Sequence, residues 1–158
     1  MSFIIRKAIH SDTPTILDLI TKLAVYEKME KDVVTSVEEL QENIFEKKFA
    51  EVLIAEEDQK PVGFALYFYN FSTFVGKPGL YLEDLFVEPS CRGKGYGKKL
   101  LIELAKIAHS KNCGRMEWSV LDWNIPSIEF YKSLQAKPMD EWTVFRLNTK
   151  EIEDLAHL

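Results

Sequence analysis

Hydrophobic residues recur along this chain with two different periods, and each period predicts a different kind of element. Between residues 16 and 24 they recur every three or four positions, as on one face of a helix. Between residues 62 and 68 every second residue is hydrophobic, which is typical of a strand. The same pattern along the chain predicts strands at 3–7, 52–55, 62–68, 80–87, 115–121 and 142–147, and helices beginning near residues 13, 35, 97, 124 and 149. The first ten elements follow the order β-α-α-β-β-β-α-β-α-β, which predicts a mixed α/β fold.

The composition is that of a soluble globular domain. The chain has 158 residues, 46% hydrophobic and 28% charged, without repeats or linkers, so we expect one domain over residues 1–158. No apolar run approaches the roughly 20 residues of a membrane span, and the first residues lack the order of a signal peptide. Cys91 and Cys113 have neither metal-ligand nor disulfide-framework spacing, and the three histidines are scattered. We therefore predict a cytoplasmic protein with no metal site and no membrane partner.

Charge is distributed unevenly along the chain. The formal net charge of −5 gives no reason to expect a nucleic-acid partner. Residues 92–99 nevertheless contain four basic residues and no acidic one, which favours an anionic ligand there. Residues 27–46 contain seven acidic residues and two basic ones, which favours a small cationic molecule or is simply a solvated helix face.

A glycine-rich segment joins a predicted strand to a predicted helix. Gly93, Gly95 and Gly97 occupy alternate positions, so the backbone can turn tightly and leave N–H groups uncovered. Together with the start of the following helix, these donors predict a site for a phosphate or a diphosphate; the alternative is a plain turn before a basic helix. Lys98 is followed by Lys99 rather than by Ser or Thr, which argues against a nucleotide P-loop. The G-x-G-x-G pattern also differs from the dinucleotide fingerprint.

Residues 92–97, with the sequence RGKGYG, resemble the R/Q-x-x-G-x-G/A acyl-CoA pyrophosphate loop of the GNAT N-acetyltransferases. Three further segments, 23–30, 80–87 and 123–131, are similar to the diamine (spermidine/spermine) N-acetyltransferases and the related thialysine acetyltransferases. The resemblance runs over essentially the whole chain in element order. It implies the GNAT fold, a central mixed sheet flanked by helices, with acetyl-CoA as co-substrate and a homodimeric assembly.

The expected chemistry requires a proton acceptor and a proton donor. A lysine-type amine has a pKa of ~10.4 and must lose a proton before it can attack a thioester. Glu83 and Asp84 are adjacent carboxylates in an apolar strand, which is costly unless they are paired or functional. The resemblance makes Glu83 the amine contact that assists deprotonation, and Tyr131 the general acid that protonates the leaving thiolate. We expect Asp84 to be a structural carboxylate satisfied by the backbone or by a basic partner.

The resemblance also assigns the binding residues. Tyr26 and Glu27 end the first helix, where a carboxylate opposes the macrodipole, a mild conflict that hints at function. Taken as side chains alone, most of the assigned residues are also consistent with ordinary core, capping or surface roles. Acetyl-CoA binding is expected of Leu85, Phe86, Val87, Arg92, Gly93, Lys94, Gly95, Tyr96, Gly97, Lys98, Asn124, Ser127 and Tyr131. Substrate binding is expected of Tyr26, Glu27, Glu83, Glu117 and Trp118.

The expected function is transfer of an acetyl group from acetyl-CoA to a primary amine of a small cationic acceptor, either a diamine or polyamine or a thialysine- or lysine-like molecule, by direct attack on the thioester. Two alternatives stay open. One is an acetyltransferase for another amine, namely a protein lysine, an N-terminus or an antibiotic. The other is a non-catalytic acyl-CoA sensor.

Overall fold

Five strands form one mixed sheet in the order β1-β2-β3-β4-β5 in the computed structural model, which describes all of residues 1–158. Neighbouring strands from β1 to β4 are antiparallel, whereas β4 and β5 are parallel. The strands are β1 Phe3–Lys7, β2 Glu51–Glu57, β3 Lys60–Ser72, β4 Lys77–Val87 and β5 Arg115–Trp118. The first five predicted strands are therefore confirmed, although β5 ends at Trp118 rather than at residue 121.

Five helices accompany the sheet, and one of them changes its winding along its length. The helices are α1 Thr13–Tyr26, α2 Val37–Leu40, α3 Tyr96–Ser110, α4 Ile125–Ser133 and α5 Thr149–Ala156. The helical segment of α2 continues as a π-helical turn over Gln41–Glu46. Its cap is Ser36, whose Oγ accepts a hydrogen bond from the N–H of Glu39 at 3.1 Å. The helix that the sequence predicted from near residue 35 therefore begins at Val37.

Both faces of the sheet are covered within residues 1–119. One core cluster joins α1 and the π-helical turn to β2, β3 and β4, and it contains Ile16, Leu19, Leu23, Ile44, Val52, Ile54, Phe64 and Phe86. Leu53 and Ala65 alternate with members of that cluster along β2 and β3, so they point to the opposite face, and they are buried as well. Helix α3 contacts β2, β3 and β4 and contributes the fully buried Leu100 and Leu104. The predicted mixed sheet flanked by helices is confirmed.

The chain divides into two compact units, residues 1–119 and residues 120–158. The second unit contains α4 and α5. Between them, the strand predicted at residues 142–147 does not form. An alternating pattern specifies which face of a strand is apolar, but a strand also needs a partner for its N–H and C=O groups. Trp142, Val144 and Phe145 are instead 76%, 81% and 92% exposed.

Several expectations about the whole protein stay predictions. These are the single domain over residues 1–158, the cytoplasmic location, and the lack of metal and nucleic-acid partners. None of the helices combines the length and the apolar character that crossing a bilayer requires.

Candidate active site

The two parallel strands of the sheet separate at one end. β4 and β5 are paired from Gly79 opposite Arg115 to Leu82 opposite Trp118. β5 then ends, whereas β4 continues to Val87. Over these last five residues, the edge of β4 on the side of β5 has no strand partner. Its main-chain groups can therefore bind an extended ligand in the manner of an added strand. The predicted cofactor residues 85–87 lie on this open edge.

Glu83 is a β-bulge at the point where the strands separate. On β3, Leu66 lies opposite Asp84 and Tyr67 lies opposite Leu82, so Glu83 faces no residue of β3. Bulges re-aim side chains, and they are frequent beside active sites. The Glu83 side chain is exposed and that of Asp84 is half-buried. The bulge thus presents two consecutive carboxylates beside the open edge of β4.

Glu27, Glu83 and Asp84 form an acidic cluster that no cation neutralises. Burial first, and then the charges of Glu83 and Glu27, together raise the pKa of Asp84 to about 7. Burial also raises the pKa of Glu27, at the end of α1. The expectation that Asp84 is satisfied by the backbone or by a basic partner is therefore wrong, since neither acts on its carboxyl group. Since like charges held together in a partly buried place are unfavourable, the cluster favours a cationic ligand.

Two further predicted substrate residues lie on β5. Glu117 is opposite Tyr81 of β4; its Oε1 forms an ion pair with Arg115 Nε at 3.0 Å and accepts a hydrogen bond from Asn70 Nδ2 at 3.4 Å. Its charge is thus already compensated within the sheet, unlike that of the acidic cluster. Trp118 is the last residue of β5 and is half-buried.

The glycine-rich segment bends before α3 as the sequence predicted. Gly93 and Gly95 have φ values of +82° and +81°, a backbone conformation that favours glycine. Gly95 is the N-cap of α3, and no side chain caps the helix. The first intrahelical bond runs from Lys99 N–H to the Gly95 carbonyl at 3.0 Å, so the preceding N–H groups of the helix have no intrahelical acceptor. These donors and the helix dipole fit an anionic group such as a diphosphate.

Arg92 connects this segment to β4 and to the end of α1. Its Nε donates to the Val87 carbonyl at 3.1 Å, and its guanidinium lies 4.4 Å from the centre of the Tyr26 ring. The structure thereby brings the predicted cofactor residue Arg92 next to the predicted substrate residue Tyr26. Lys98 is exposed on the first turn of α3.

The remaining predicted residues lie in the second unit. Asn124 is the N-cap of α4, and its Oδ1 accepts from the N–H of Ser127 at 3.4 Å. Tyr131 lies on the same helix and is half-buried, with its ring centre 5.7 Å from that of Phe130. The helix predicted to begin near residue 124 is confirmed. The roles of Ser127 and Tyr131 toward acetyl-CoA stay predictions.

Comparison with known proteins decides the family. Residues 15–135 match the model of the Acetyltransferase (GNAT) family. The chain belongs to this family. GNAT acetyltransferases use acetyl-CoA as co-substrate, so the protein is an acetyl-CoA-dependent N-acetyltransferase that acts on amines. The resemblance drawn from residues 92–97 is confirmed.

Relatives of this acetyltransferase align with it over nearly its whole length. It is 38% identical over 169 residues to thialysine N-epsilon-acetyltransferase from Bos taurus, with 99% of each chain covered. It is 36% identical over 165 residues to human spermidine/spermine N(1)-acetyltransferase-like protein 1, covering 98% of this chain and 24% of that protein. Among solved structures, an integron cassette protein from V. cholerae superposes with a TM-score of 0.83 at 30% identity, covering 99% of this chain and 98% of that one.

The sequence pointed to most of these features but missed two. It located Glu83 and Asp84 from their position in an apolar strand, yet it gave no sign of the bulge, because a bulge depends on the register with β3. It also missed Glu57, which contacts the glycine-rich segment from the end of β2. No local pattern could have revealed this contact, since Glu57 and Lys94 are 37 residues apart in the sequence.

Proposed function

We propose that this acetyltransferase moves the acetyl group of acetyl-CoA to a primary amine of a small cationic acceptor, a diamine or polyamine or a thialysine- or lysine-like molecule. The observation that carries the proposal is the uncompensated acidic cluster Glu27, Glu83 and Asp84 at the bulge beside the open edge of β4. The names of the relatives, thialysine and spermidine/spermine acetyltransferases, support the same class of acceptor.

Acetyl-CoA supplies the acetyl group as a reactive thioester. In the proposed site its diphosphate binds the glycine-rich segment, including the N–H groups of Gly95 and Gly97 and the charges of Arg92 and Lys98. The open edge of β4 at residues 85–87 binds the pantetheine arm through main-chain hydrogen bonds. A main-chain N–H of this edge also polarises the thioester carbonyl. Asn124 and Ser127, at the start of α4, complete the proposed cofactor contacts.

Two side chains handle the protons in the proposed reaction. Glu83 binds the acceptor ammonium and assists removal of one of its protons through water, which frees the nitrogen lone pair. The nitrogen forms a bond to the thioester carbonyl carbon, the carbon–sulfur bond breaks, and the nitrogen loses a second proton to water as the amide forms. Tyr131 donates a proton to the departing sulfur, for which a tyrosine pKa of about 10 and a thiol pKa of about 8.5 are close enough.

The arrangement of the acidic cluster favours an acceptor with more than one cationic group. While Glu83 holds the reacting amine, Glu27 and Asp84 are left to bind a second positive charge. Binding that charge lowers the free-energy cost of ionising Asp84, whose pKa of about 7 leaves it half-protonated near neutrality. Tyr26 and Trp118 are proposed to contact the same cation through their rings, and Glu117 through a carboxylate that already pairs with Arg115.

Release of free CoA on addition of a panel of amines tests the proposal. We expect rapid release with diamines, polyamines, lysine and thialysine, and at least tenfold slower release with propylamine than with 1,3-diaminopropane, since only the diamine carries the second charge. Rapid acetylation of a peptide or an aminoglycoside, together with none of spermidine or thialysine, would reject this acceptor class. Tight acetyl-CoA binding without transfer to any amine would identify an acyl-CoA sensor instead.

We also propose that the enzyme is a homodimer in which a second copy of the chain covers residues 142–147. The segment has the alternating pattern of a strand, yet Trp142, Val144 and Phe145 are exposed. Large apolar side chains that are exposed together mark interaction surfaces.

Light scattering after gel filtration tests the dimer. We expect twice the chain mass of 18.3 kDa for the wild-type protein and a shift toward the monomer for Phe145→Asp, because a charge buried in an apolar interface is costly. Val34→Asp is the control, since Val34 is exposed before α2 with no other exposed large apolar residue within four positions of it in the sequence. A monomeric wild-type protein, or equal behaviour of the two variants, would contradict the proposed interface.

A further inference from the structure

Glu57, the last residue of β2, contacts two side chains that flank the N-cap of α3. The Tyr96 hydroxyl donates a hydrogen bond to Glu57 Oε2. Lys94 Nζ donates to both carboxylate oxygens, at 2.9 and 3.2 Å. Only Gly95 separates Tyr96 from Lys94 in the sequence. The Glu57 side chain is 14% exposed, so this carboxylate is a largely enclosed anchor rather than a mobile surface group.

Tyr96 is held from a second direction as well. Its ring stacks on Phe3 of β1, with ring centres 3.9 Å apart and planes at 16°, and the residue is 6% exposed. Lys99 Nζ lies 4.9 Å from the Phe3 ring centre. The first residue of α3 is therefore tied to both β1 and β2.

The negative charge of Glu57 is compensated by its ion pair with Lys94. The hydrogen bond from Tyr96 and the ion pair with Lys94 hold the pKa of the Glu57 carboxyl below its usual value, so the group is ionised at neutral pH. An unpaired carboxylate this close to a phosphate site would repel the ligand, whereas one paired with Lys94 does not. Glu57 accepts only from side chains in this segment, which leaves the N–H groups at the start of α3 available.

We propose that Glu57 is a positioning residue for acetyl-CoA: through Tyr96 and Lys94 it fixes the bend at Gly95 so that the first N–H groups of α3 face the coenzyme diphosphate. The inference rests on the proposed function, in which this segment binds acetyl-CoA. Glu57 itself does not touch the coenzyme. Its loss therefore weakens coenzyme binding without altering the chemical step.

Calorimetry with acetyl-CoA and steady-state kinetics test the inference on three variants of the full chain and one control variant. Glu57→Ala removes both contacts, and we expect the Kd and KM for acetyl-CoA to rise about tenfold. Glu57→Gln keeps an acceptor for Tyr96 but loses the ion pair, and Tyr96→Phe loses only the hydroxyl. Each of these two substitutions should raise the Kd and KM for acetyl-CoA about threefold. The kcat at saturating acetyl-CoA and the KM for the amine should stay within about twofold of wild type.

The control is Glu103→Gln, which makes the same charge change on the exposed side of α3, where Glu103 pairs with Lys106 at 3.0 Å. A loss of folded protein lowers kcat and the melting temperature but does not change the KM for acetyl-CoA. A rise in KM at constant kcat therefore indicates a positioning role rather than an effect on stability. If Glu57→Ala does not fold, Tyr96→Phe carries the test.

The outcomes distinguish this inference from the proposed function. No heat from acetyl-CoA with wild-type protein would overturn the proposed coenzyme site and the inference with it. Normal binding by wild type and equal binding by Glu57→Ala or Tyr96→Phe would overturn the inference alone. Tighter binding by Glu57→Gln would also overturn it, because Glu57 would then compete with the phosphate for Lys94.

Discussion

The Tyr131→Phe variant will turn over about a hundredfold more slowly than the wild-type enzyme, with its affinity for acetyl-CoA nearly unchanged. The substitution removes the hydroxyl that donates a proton to the departing sulfur in the proposed reaction. It keeps the aromatic ring, which lies beside Phe130 on α4. The measurements are kcat at saturating acetyl-CoA and amine, and the Kd for acetyl-CoA by calorimetry.

Tyr69→Phe is the matched control for this experiment. It deletes the same kind of hydroxyl from β3, where the Tyr69 hydroxyl is buried, so we expect kcat to stay within about twofold of wild type. Unchanged turnover in Tyr131→Phe would remove Tyr131 as the general acid. A large rise in Kd at constant kcat would make Tyr131 a coenzyme contact only.

The second large effect concerns stability rather than rate. Asp84→Asn will stabilise the protein against unfolding at pH 8 by on the order of 3 kcal/mol, and by far less at pH 3.5. In the folded protein the pKa of Asp84 is raised from an ordinary 3.8 to about 7. Between these two values the folded state binds more protons than the unfolded state, so the contribution of Asp84 to stability falls as the pH rises. Asparagine is neutral throughout and does not carry this cost.

Urea unfolding of wild type and Asp84→Asn at several pH values measures the difference. Asp18→Asn is the control, because Asp18 is exposed on α1, where it pairs with Lys22. Comparing variants at each pH removes the contribution of other carboxylates such as Asp12, whose pKa is lowered by its hydrogen bonds with Arg6. A difference that stays constant from pH 4 to pH 8 would contradict the raised pKa.

The features that the sequence predicted correctly are those fixed by local pattern. The helical spacing in α1, the alternation in β3 and the alternate glycines before α3 each depend on a few neighbouring residues. The family followed from residues 92–97 for the same reason. Asn124 at the start of α4 is a further local signal, because a cap needs only the residues of the first turn.

The features that the sequence did not predict depend on contacts between distant residues. The bulge at Glu83 exists because of the register between β3 and β4, and that register is set by packing rather than by β4 alone. The missing partner of Asp84 could not be predicted either, since a costly carboxylate in a strand indicates a partner or a function without deciding between them. The strand expected at 142–147 shows the same limit: its pattern is correct, but no ladder forms.

The open edge of β4 has a consequence for how the enzyme tolerates sequence change. In the proposed mode the pantetheine arm contacts the main chain at residues 85–87, and every amino acid except proline supplies the same N–H and C=O there. Selection on these positions then acts only through packing, as for Phe86 in the core. Substitutions that preserve side-chain volume can accumulate along this strand without weakening coenzyme binding. Side-chain mutagenesis would therefore not detect the main-chain contribution of residues 85–87 to the affinity for acetyl-CoA.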